Sequence, residues 1–178
     1  MRTQPFILAM QAEGREWVTT FSEAARNSFD YVFTDAMTFL DHKGRRTHLW
    51  VNKEVIIDDE QAYMDMMLDR ICSVLEEPVD MYVNSCFLPD AMSDRYDMFW
   101  TDDRFVNALA KSGKALEINE LYHIPNKAII QKAKAAGVKF TFGSNNITPE
   151  VGTLDYCIRM KKECGLTAQD MYKPHINI

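Results

Sequence analysis

The chain has 178 residues and a formal net charge of −6 at pH 7. At this length a single domain is expected, large enough to bury about 70% of the surface of the unfolded chain. The acidic balance and the lack of any Lys/Arg run argue against binding to nucleic acid or to an anionic membrane surface. The sequence has no signal-peptide pattern and no run of 18 apolar residues, so we expect neither export nor membrane insertion.

The four cysteines show no C-x-x-C spacing; they are Cys72, Cys86, Cys157 and Cys164. The last two lie seven residues apart on one predicted helix, which separates them by about two turns, too far for a disulfide. We therefore expect reduced, partly buried thiols and a cytoplasmic location.

Strand and helix patterns alternate along the chain. In chain order they predict strand 6–10, helix 22–26, strand 30–35, turn 41–44, short strand 47–51, helix 59–75, strand 79–84, helix 102–112, strand 115–119, helix 125–136, strand 138–142, a helix from 148 or 149 to 163 and a closing helical turn 167–171. The longest helix is indicated by apolar residues at helical spacing: Ala62, Met66, Leu68, Ile71 and Leu75. Ser22 is placed to cap the first helix, and Gly113, Gly137 and Gly165 are placed to end later ones.

Five strands that alternate with helices predict one α/β domain over residues 1–178 with a parallel sheet. The carboxyl ends of parallel strands meet at one edge, where binding sites commonly lie. The polar residues at these ends are Gln11, Glu13, Arg15, Glu16, Asp35, Asn84, Glu117, Asn119, Ser144, Asn145 and Asn146. Their convergence predicts a binding site, with the alternative that strand ends are polar only because the chain turns there.

Three of these residues have two interpretations each. Asp35 interrupts an apolar stretch and is either a ligand-binding carboxylate or a loop-capping acceptor. Asn84 either binds a ligand or holds its turn. Glu117 alternates with Leu116 and Ile118, so it points away from their apolar face and needs a partner such as Arg or Lys. A structural ion pair and a catalytic role are both open for it.

The histidines do not mark a metal site. None of them has the HxH or HExxH spacing of metal ligands, and we expect solvent-facing or structural roles for all four: His42, His48, His123 and His175.

The stretch at residues 139–147 is the most informative one. Its first half predicts a buried strand, and its second half places Asn145 and Asn146 at the strand's carboxyl end, followed by Ile147. Chemistry at such a position commonly uses Asp or His, so neutral amides there are unexpected.

Three runs together resemble the carboxyl half of PHP (polymerase and histidinol phosphatase) domains: residues 115–119 (ALEIN), 133–144 (AKAAGVKFTFGS) and 152–158 (GTLDYCI). The resemblance covers about residues 6–171 and is strongest over 80–164. It implies a distorted (β/α) barrel whose seven strands surround up to three metal ions used to hydrolyse phosphate esters.

The resemblance also implies that the metal ligands are substituted. The family's Gly-Ser-Asp-x-His motif falls at Gly143 to Ile147, so Asn145 and Ile147 take the places of the metal-binding Asp and His. The family's His-Pro motif falls at Asn84. A family histidine falls near Asp35, whose carboxylate could still coordinate a metal.

The amino-terminal elements of the family are missing. The bridging glutamate of the family falls at Gln11 or Glu13, and the opening HxH motif is absent. The resemblance therefore implies a partial barrel that lacks its first strands. Because such a barrel exposes strand edges, pairing with another chain, and so a homo-oligomer, is expected.

Three functions follow as hypotheses. In the first, the strand ends bind a small polar ligand, phosphorylated or carboxylated, without a metal cluster; the binding residues are Glu13, Arg15, Asp35, Asn84, Asn119 and Asn145. Arg15 would hold the anionic group bidentately. In the second, the protein is a metal-dependent phosphoesterase in which Asp35 and Glu13 bind one divalent ion and Glu16 acts as the base. In the third, it is a structural or assembly half-barrel.

Overall fold

A computed structural model describes residues 6–149 and 151–174, without the side chain of Trp100. The strands are β1 (Ala9–Ala12), β2 (Tyr31–Thr34), β3 (Thr38–Leu40), β4 (Arg46–His48), β5 (Met81–Tyr82), β6 (Ala115–Asn119) and β7 (Phe140–Gly143). The helices are α1 (Trp17–Thr20), α2 (Glu23–Arg26), α3 (Glu60–Val74), α4 (Asp97–Thr101), α5 (Arg104–Ser112), α6 (Lys127–Ala135) and α7 (Asp155–Glu163). Two short 3-10 turns lie at Asn52–Glu54 and Asp90–Met92.

Five strands form one parallel sheet in the order β1-β2-β5-β6-β7. The order follows the chain without a reversal, and helices lie between successive strands. The predicted α/β fold with five parallel strands is thus confirmed. The strands β3 and β4 form a separate antiparallel hairpin after β2.

The chain after α7 returns to the edge of the sheet. The Phe140 N–H donates to the Asp170 carbonyl, and the Tyr172 N–H donates to the Phe140 carbonyl, each at 2.8 Å. Met171 thereby pairs with β7 in the parallel sense. The closing helical turn predicted at residues 167–171 is wrong at its end, because backbone pairing with β7 holds Met171 extended.

The main core lies on the face of the sheet that α3, α5, α6 and α7 cover. Leu116 and Ile118 of β6 and Phe140 of β7 are fully buried in it. Because successive side chains of a strand point to opposite faces, Glu117 and Asn119 lie on the other face. The predicted orientation of Glu117 is confirmed, and that residue reaches the carboxyl edge of the sheet away from the helices.

Local signals set several boundaries as expected. The Ser22 hydroxyl accepts a hydrogen bond from the Ala25 N–H and starts α2, and the Asp59 carboxylate accepts from the Ala62 N–H and starts α3. Gly113 adopts a left-handed φ of 70° and ends α5. All four cysteines are free, as predicted.

Two predicted starts are wrong. Strand β1 begins at Ala9 rather than residue 6, and Phe6, Ile7 and Leu8 precede it as exposed side chains. Helix α7 begins at Asp155 rather than at residue 148 or 149, because Gly152 is left-handed with a φ of 85° and interrupts the helical path. In both cases apolar residues precede the hydrogen-bonded element, so the sequence pattern placed its start too early in the chain.

The buried stripe of α3 is also shifted from the predicted one. Ala62 is exposed and Met66 is half-buried, whereas Tyr63, Met64 and Met67 are buried. Apolar residues occupy more than one face of this helix, so packing against the sheet decides which face is covered. Within the described residues, no helix has the length and apolar character needed to cross a membrane.

Candidate functional site

Five polar residues meet at the carboxyl ends of neighbouring strands. Asp35 follows β2, Asn84 follows β5, Glu117 and Asn119 belong to β6, and Asn145 follows β7. Hydrogen bonds connect all five side chains, and we call this group the rim network. The sequence predicted Asp35, Asn84, Asn119 and Asn145 as site residues, and the structure brings these four together.

Asn84 is the centre of the rim network. Its Nδ2 donates to Asp35 Oδ2 at 3.0 Å, and its backbone N–H donates to Glu117 Oε2 at 2.8 Å. Its Oδ1 accepts from the amides of Asn119 at 3.0 Å and Asn145 at 3.2 Å. A left-handed φ of 50°, which asparagine tolerates better than most residues, presents these groups in the required directions. Asn84 thus holds its turn and joins two carboxyl groups at once.

The orientation of each amide follows from one backbone donor. The Tyr122 N–H donates to Asn119 Oδ1 at 3.0 Å, so the Asn119 NH₂ group must face the other way. It donates to Asn84 Oδ1 and to Glu117 Oε2, each at 3.0 Å. Since Asn84 Oδ1 is an acceptor there, the Asn84 NH₂ group faces Asp35. The amide donors are therefore directed onto the two carboxyl groups.

Both carboxyl groups of the rim network are buried and have raised pKa values. Asp35 and Glu117 each retain 8% of their exposure. Burial raises the pKa of each above its ordinary range because a charged carboxylate loses its water. The hydrogen bonds from Asn84 oppose this effect, whereas the Asp35 carboxylate raises the pKa of Glu117 further.

Gly143 makes room for the Glu117 carboxyl group. A Cβ at this glycine would overlap Glu117 Oε1 and would lie 2.6 Å from Glu117 Cδ. Any larger residue would displace a carboxyl group that accepts two hydrogen bonds from the rim network. Because Gly143 pairs with Asn119 in the sheet, its lack of a side chain directly shapes the edge at β6 and β7.

Glu117 has neither of the cationic partners expected from the sequence. Among the described residues it makes no ion pair with Arg or Lys, and its hydrogen-bond donors are the Asn84 N–H and the Asn119 amide. The sequence predicted the direction of the Glu117 side chain but not the residues that contact it, so its place in the rim network could not be predicted.

Arg15 is directed differently from the other predicted site residues. Its Nη1 donates to Glu77 Oε1 at 2.6 Å, and its Nη2 donates to Thr34 Oγ1 and to the Asp35 carbonyl at 3.1 Å. Trp17 Nε1 donates to the second Glu77 oxygen at 2.7 Å. The guanidinium group therefore ties the end of β2 to the loop before β5.

Glu13 and Glu16 lie on the loop after β1. Glu13 is exposed, accepts a hydrogen bond from the Thr38 hydroxyl at 3.1 Å and is near enough to Asp35 to raise its pKa. The Glu16 carbonyl accepts hydrogen bonds from Thr19 and Thr20 at the start of α1. The two carboxylates proposed for a single-ion site, Asp35 and Glu13, thus lie close enough for their charges to interact.

The donor set does not fit a multi-metal cluster. Asn145 directs its NH₂ group, not its oxygen, at Asn84, and the Ile147 side chain is 78% exposed. In residues 6–149 and 151–174, no group of three or more His, Cys, Asp and Glu side chains lies close enough to hold a metal ion. His48 pairs with Glu54 at 2.6 Å and His123 stacks on Tyr156, which are structural roles. His175 lies outside the described residues.

An aromatic pair next to the rim network was not predicted. Phe87 and Tyr122 meet edge to face, with 4.8 Å between ring centroids. Backbone hydrogen bonds tie them to the network, from the Phe87 N–H to the Asn84 carbonyl and from the Tyr122 N–H to Asn119 Oδ1. The sequence does contain a signal for this pair, because an aromatic residue lies three positions after Asn84 and another three positions after Asn119.

Comparison of the sequence with models of protein families and with curated proteins gave no match.

Proposed function

We propose that the rim network binds a small polar ligand directly, without a metal cluster, on a partial barrel of the PHP type. The observation that carries this proposal is Asn84, which donates to Asp35 and Glu117 and accepts from two further amides. A hydrogen-bonded, buried polar group at the carboxyl edge is the arrangement that ligand sites of parallel α/β proteins use. The strand order without a reversal supports the barrel.

The remaining hydrogen-bonding capacity favours a ligand with hydroxyl groups. In the described part of the chain, no donor reaches Glu117 Oε1 or Asn145 Oδ1, while Asn84 Nδ2 keeps a second N–H. A hydroxyl group both donates and accepts, so it matches acceptors and a donor that lie side by side. The Phe87 and Tyr122 rings supply an adjacent apolar surface.

Charge decides between hydroxylated and anionic ligands. Glu13, Asp35 and Glu117 place acidic groups around the site, and the Arg15 guanidinium is paired with Glu77. A phosphorylated or carboxylated ligand is therefore accepted best when the buried carboxyl groups are protonated, as their raised pKa values favour.

The test is a titration of the full chain with ribose, glucose and their terminal phosphate monoesters, followed by NMR. We expect chemical-shift changes at Asn84, Asn119 and Asn145, with the sugars bound more tightly than the phosphates at pH 7. Asn145→Ala should weaken binding about tenfold, the value of one hydrogen bond. Asn107→Ala, an exposed asparagine on α5, is the matched control and should have no effect. Shifts confined to residues outside the rim network would contradict the proposal.

A second function, hydrolysis by a single divalent ion, is favoured by the repulsion between the Glu13 and Asp35 charges, which a bound cation would relieve. These two carboxylates would hold the ion, which would activate water for attack on a phosphate ester. Titration with Mn²⁺ followed by paramagnetic broadening tests this. Broadening at Asp35 that Glu13→Gln removes would support the second function over the first.

A third role, assembly, is favoured by the end of the sheet at β1. Phe6, Ile7 and Leu8 are exposed beside this terminal strand. A half-barrel could cover them by pairing with a second copy. Light scattering of the full chain tests this role, and a strict monomer at high concentration would count against it.

A further inference from the structure

A separate cavity of about 320 Å³ lies between the β3–β4 hairpin and the first turns of α3. Its apolar wall includes Phe39, Ile56 and Met66, and its polar wall includes Asp58, Asp59 and Tyr63. None of its described lining residues belongs to the rim network. The volume falls at the small end of the range for ligand sites, about 300 to 1,000 Å³.

Tyr63 gives the cavity an unused polar group. The residue keeps only 8% of its exposure, and its hydroxyl is buried without a hydrogen-bond partner in the described part of the chain. A buried hydroxyl with no partner is unfavourable, so a ligand that bonds to it gains more than at a solvated group. Burial and then the nearby Asp41 charge raise the pKa of Tyr63 to about 12, so the phenol stays neutral.

The charged groups around the cavity determine whether it favours a cationic or an anionic ligand. Asp41 is paired with Arg45 at 2.6 Å, and Glu54 accepts a hydrogen bond from His48 at 2.6 Å. Asp58 is exposed and makes no hydrogen bond or ion pair within the described residues. No Lys or Arg is found among the described residues that line the cavity.

An anion would be disfavoured although the cavity adjoins a helix N-terminus. The Asp59 carboxylate already accepts the Ala62 N–H at 2.7 Å, and so occupies the place of an anion at the start of α3. Asp58 adds a second negative charge beside it. The excess of carboxylates over cationic groups leaves an electronegative opening above an apolar wall.

We propose that this cavity binds a small organic cation, namely an ammonium group on a compact apolar body. The apolar body contacts Phe39, Ile56 and Met66. The ammonium group faces Asp58 and donates to the Tyr63 hydroxyl oxygen, which supplies that buried atom with a partner. Binding here is independent of the ligand proposed for the rim network.

The first experiment compares three probes of nearly equal shape on the full chain at pH 7. These are 2-phenylethylammonium, neutral 2-phenylethanol and anionic 3-phenylpropionate, titrated while backbone NMR signals are recorded. We expect shifts at Ala62 and Tyr63 with the cation and about tenfold weaker binding of the alcohol, because the alcohol lacks the charge. Equal binding of the alcohol, or tighter binding of the carboxylate, would overturn the proposal.

The second experiment separates the contribution of the Asp58 charge to binding from that of the Tyr63 hydroxyl. Asp58→Asn should weaken binding of the cation about threefold, which is the effect expected for an exposed charge pair. Binding of the alcohol should stay the same. Asp94→Asn, the same change at an exposed position outside the cavity, should do nothing. Tyr63→Phe should weaken binding of the cation severalfold. It should not lower the melting temperature, since the hydroxyl that it removes has no hydrogen-bond partner among the described residues. Equal effects of Asp58→Asn and Asp94→Asn, or unchanged cation binding by Tyr63→Phe, would show that the cavity does not use these groups.

Discussion

Replacement of Gly143 by alanine is expected to destabilise the fold through one specific neighbour. The added Cβ would overlap Glu117 Oε1, so the Glu117 carboxyl group would have to leave its place. That movement breaks its hydrogen bonds with the Asn84 N–H and the Asn119 amide. Two lost hydrogen bonds at about 1 kcal/mol each, together with the cost of leaving a buried donor unpaired, give a loss of about 2–4 kcal/mol.

The measurement is urea unfolding of Gly143→Ala in two backgrounds, the natural chain and Glu117→Ala. If the overlap causes the loss, the cost of Gly143→Ala should nearly vanish once the Glu117 side chain is removed. Gly113→Ala is the control, because its φ of 70° is left-handed and a Cβ there meets nothing within 4 Å. It should cost about 1–2 kcal/mol from backbone strain in both backgrounds. An equal cost of Gly143→Ala in both backgrounds would refute this reasoning.

Three further predictions concern stability. Because burial raises the pKa of Glu117 above its ordinary 4.5, the folded state binds a proton more tightly than the unfolded state. The unfolding free energy should therefore fall, relative to that of Glu117→Gln, as the pH rises from 4.5 through the raised pKa; a difference that is constant between pH 4 and 8 would contradict this. Arg15→Met should cost about 2 kcal/mol in urea unfolding because it leaves Glu77 without its cation, whereas a loss of ligand binding with unchanged stability would show that Arg15 binds ligand. Asp59→Ala should cost about 1 kcal/mol as a lost helix cap, and the neighbouring Asp58→Ala should cost almost nothing; equal effects would contradict the cap.

The arrangement of the rim network follows from the parallel sheet. Asp35, Asn84, Asn119 and Asn145 are far apart in the sequence, yet each lies at or just after the carboxyl end of its strand. Parallel neighbours place these ends along one edge, so polar residues that are distant in the sequence come together there. Which of them touch depends on the register between strands.

The direction of the Arg15 side chain could not be predicted from the sequence. It lies on the loop after β1, where a rim residue is expected, but its guanidinium group reaches Glu77, 62 positions later. The side chain is long enough to turn either towards the rim or along the sheet. The available acceptors decide its direction, and these come from other elements.

The sequence by itself determined the alternation of five strands with helices, the cap at Ser22, and the direction of Glu117 away from the apolar face of β6. These features depend on periodicity and on hydrogen bonds within a few residues, which the local sequence controls. Only the tertiary structure decided that amides rather than a cation surround Glu117, and that Asn145 meets Asn84 across 61 positions. It also decided which face of α3 is buried. Such contacts depend on strand register and on packing between elements, and both are set by the whole chain at once.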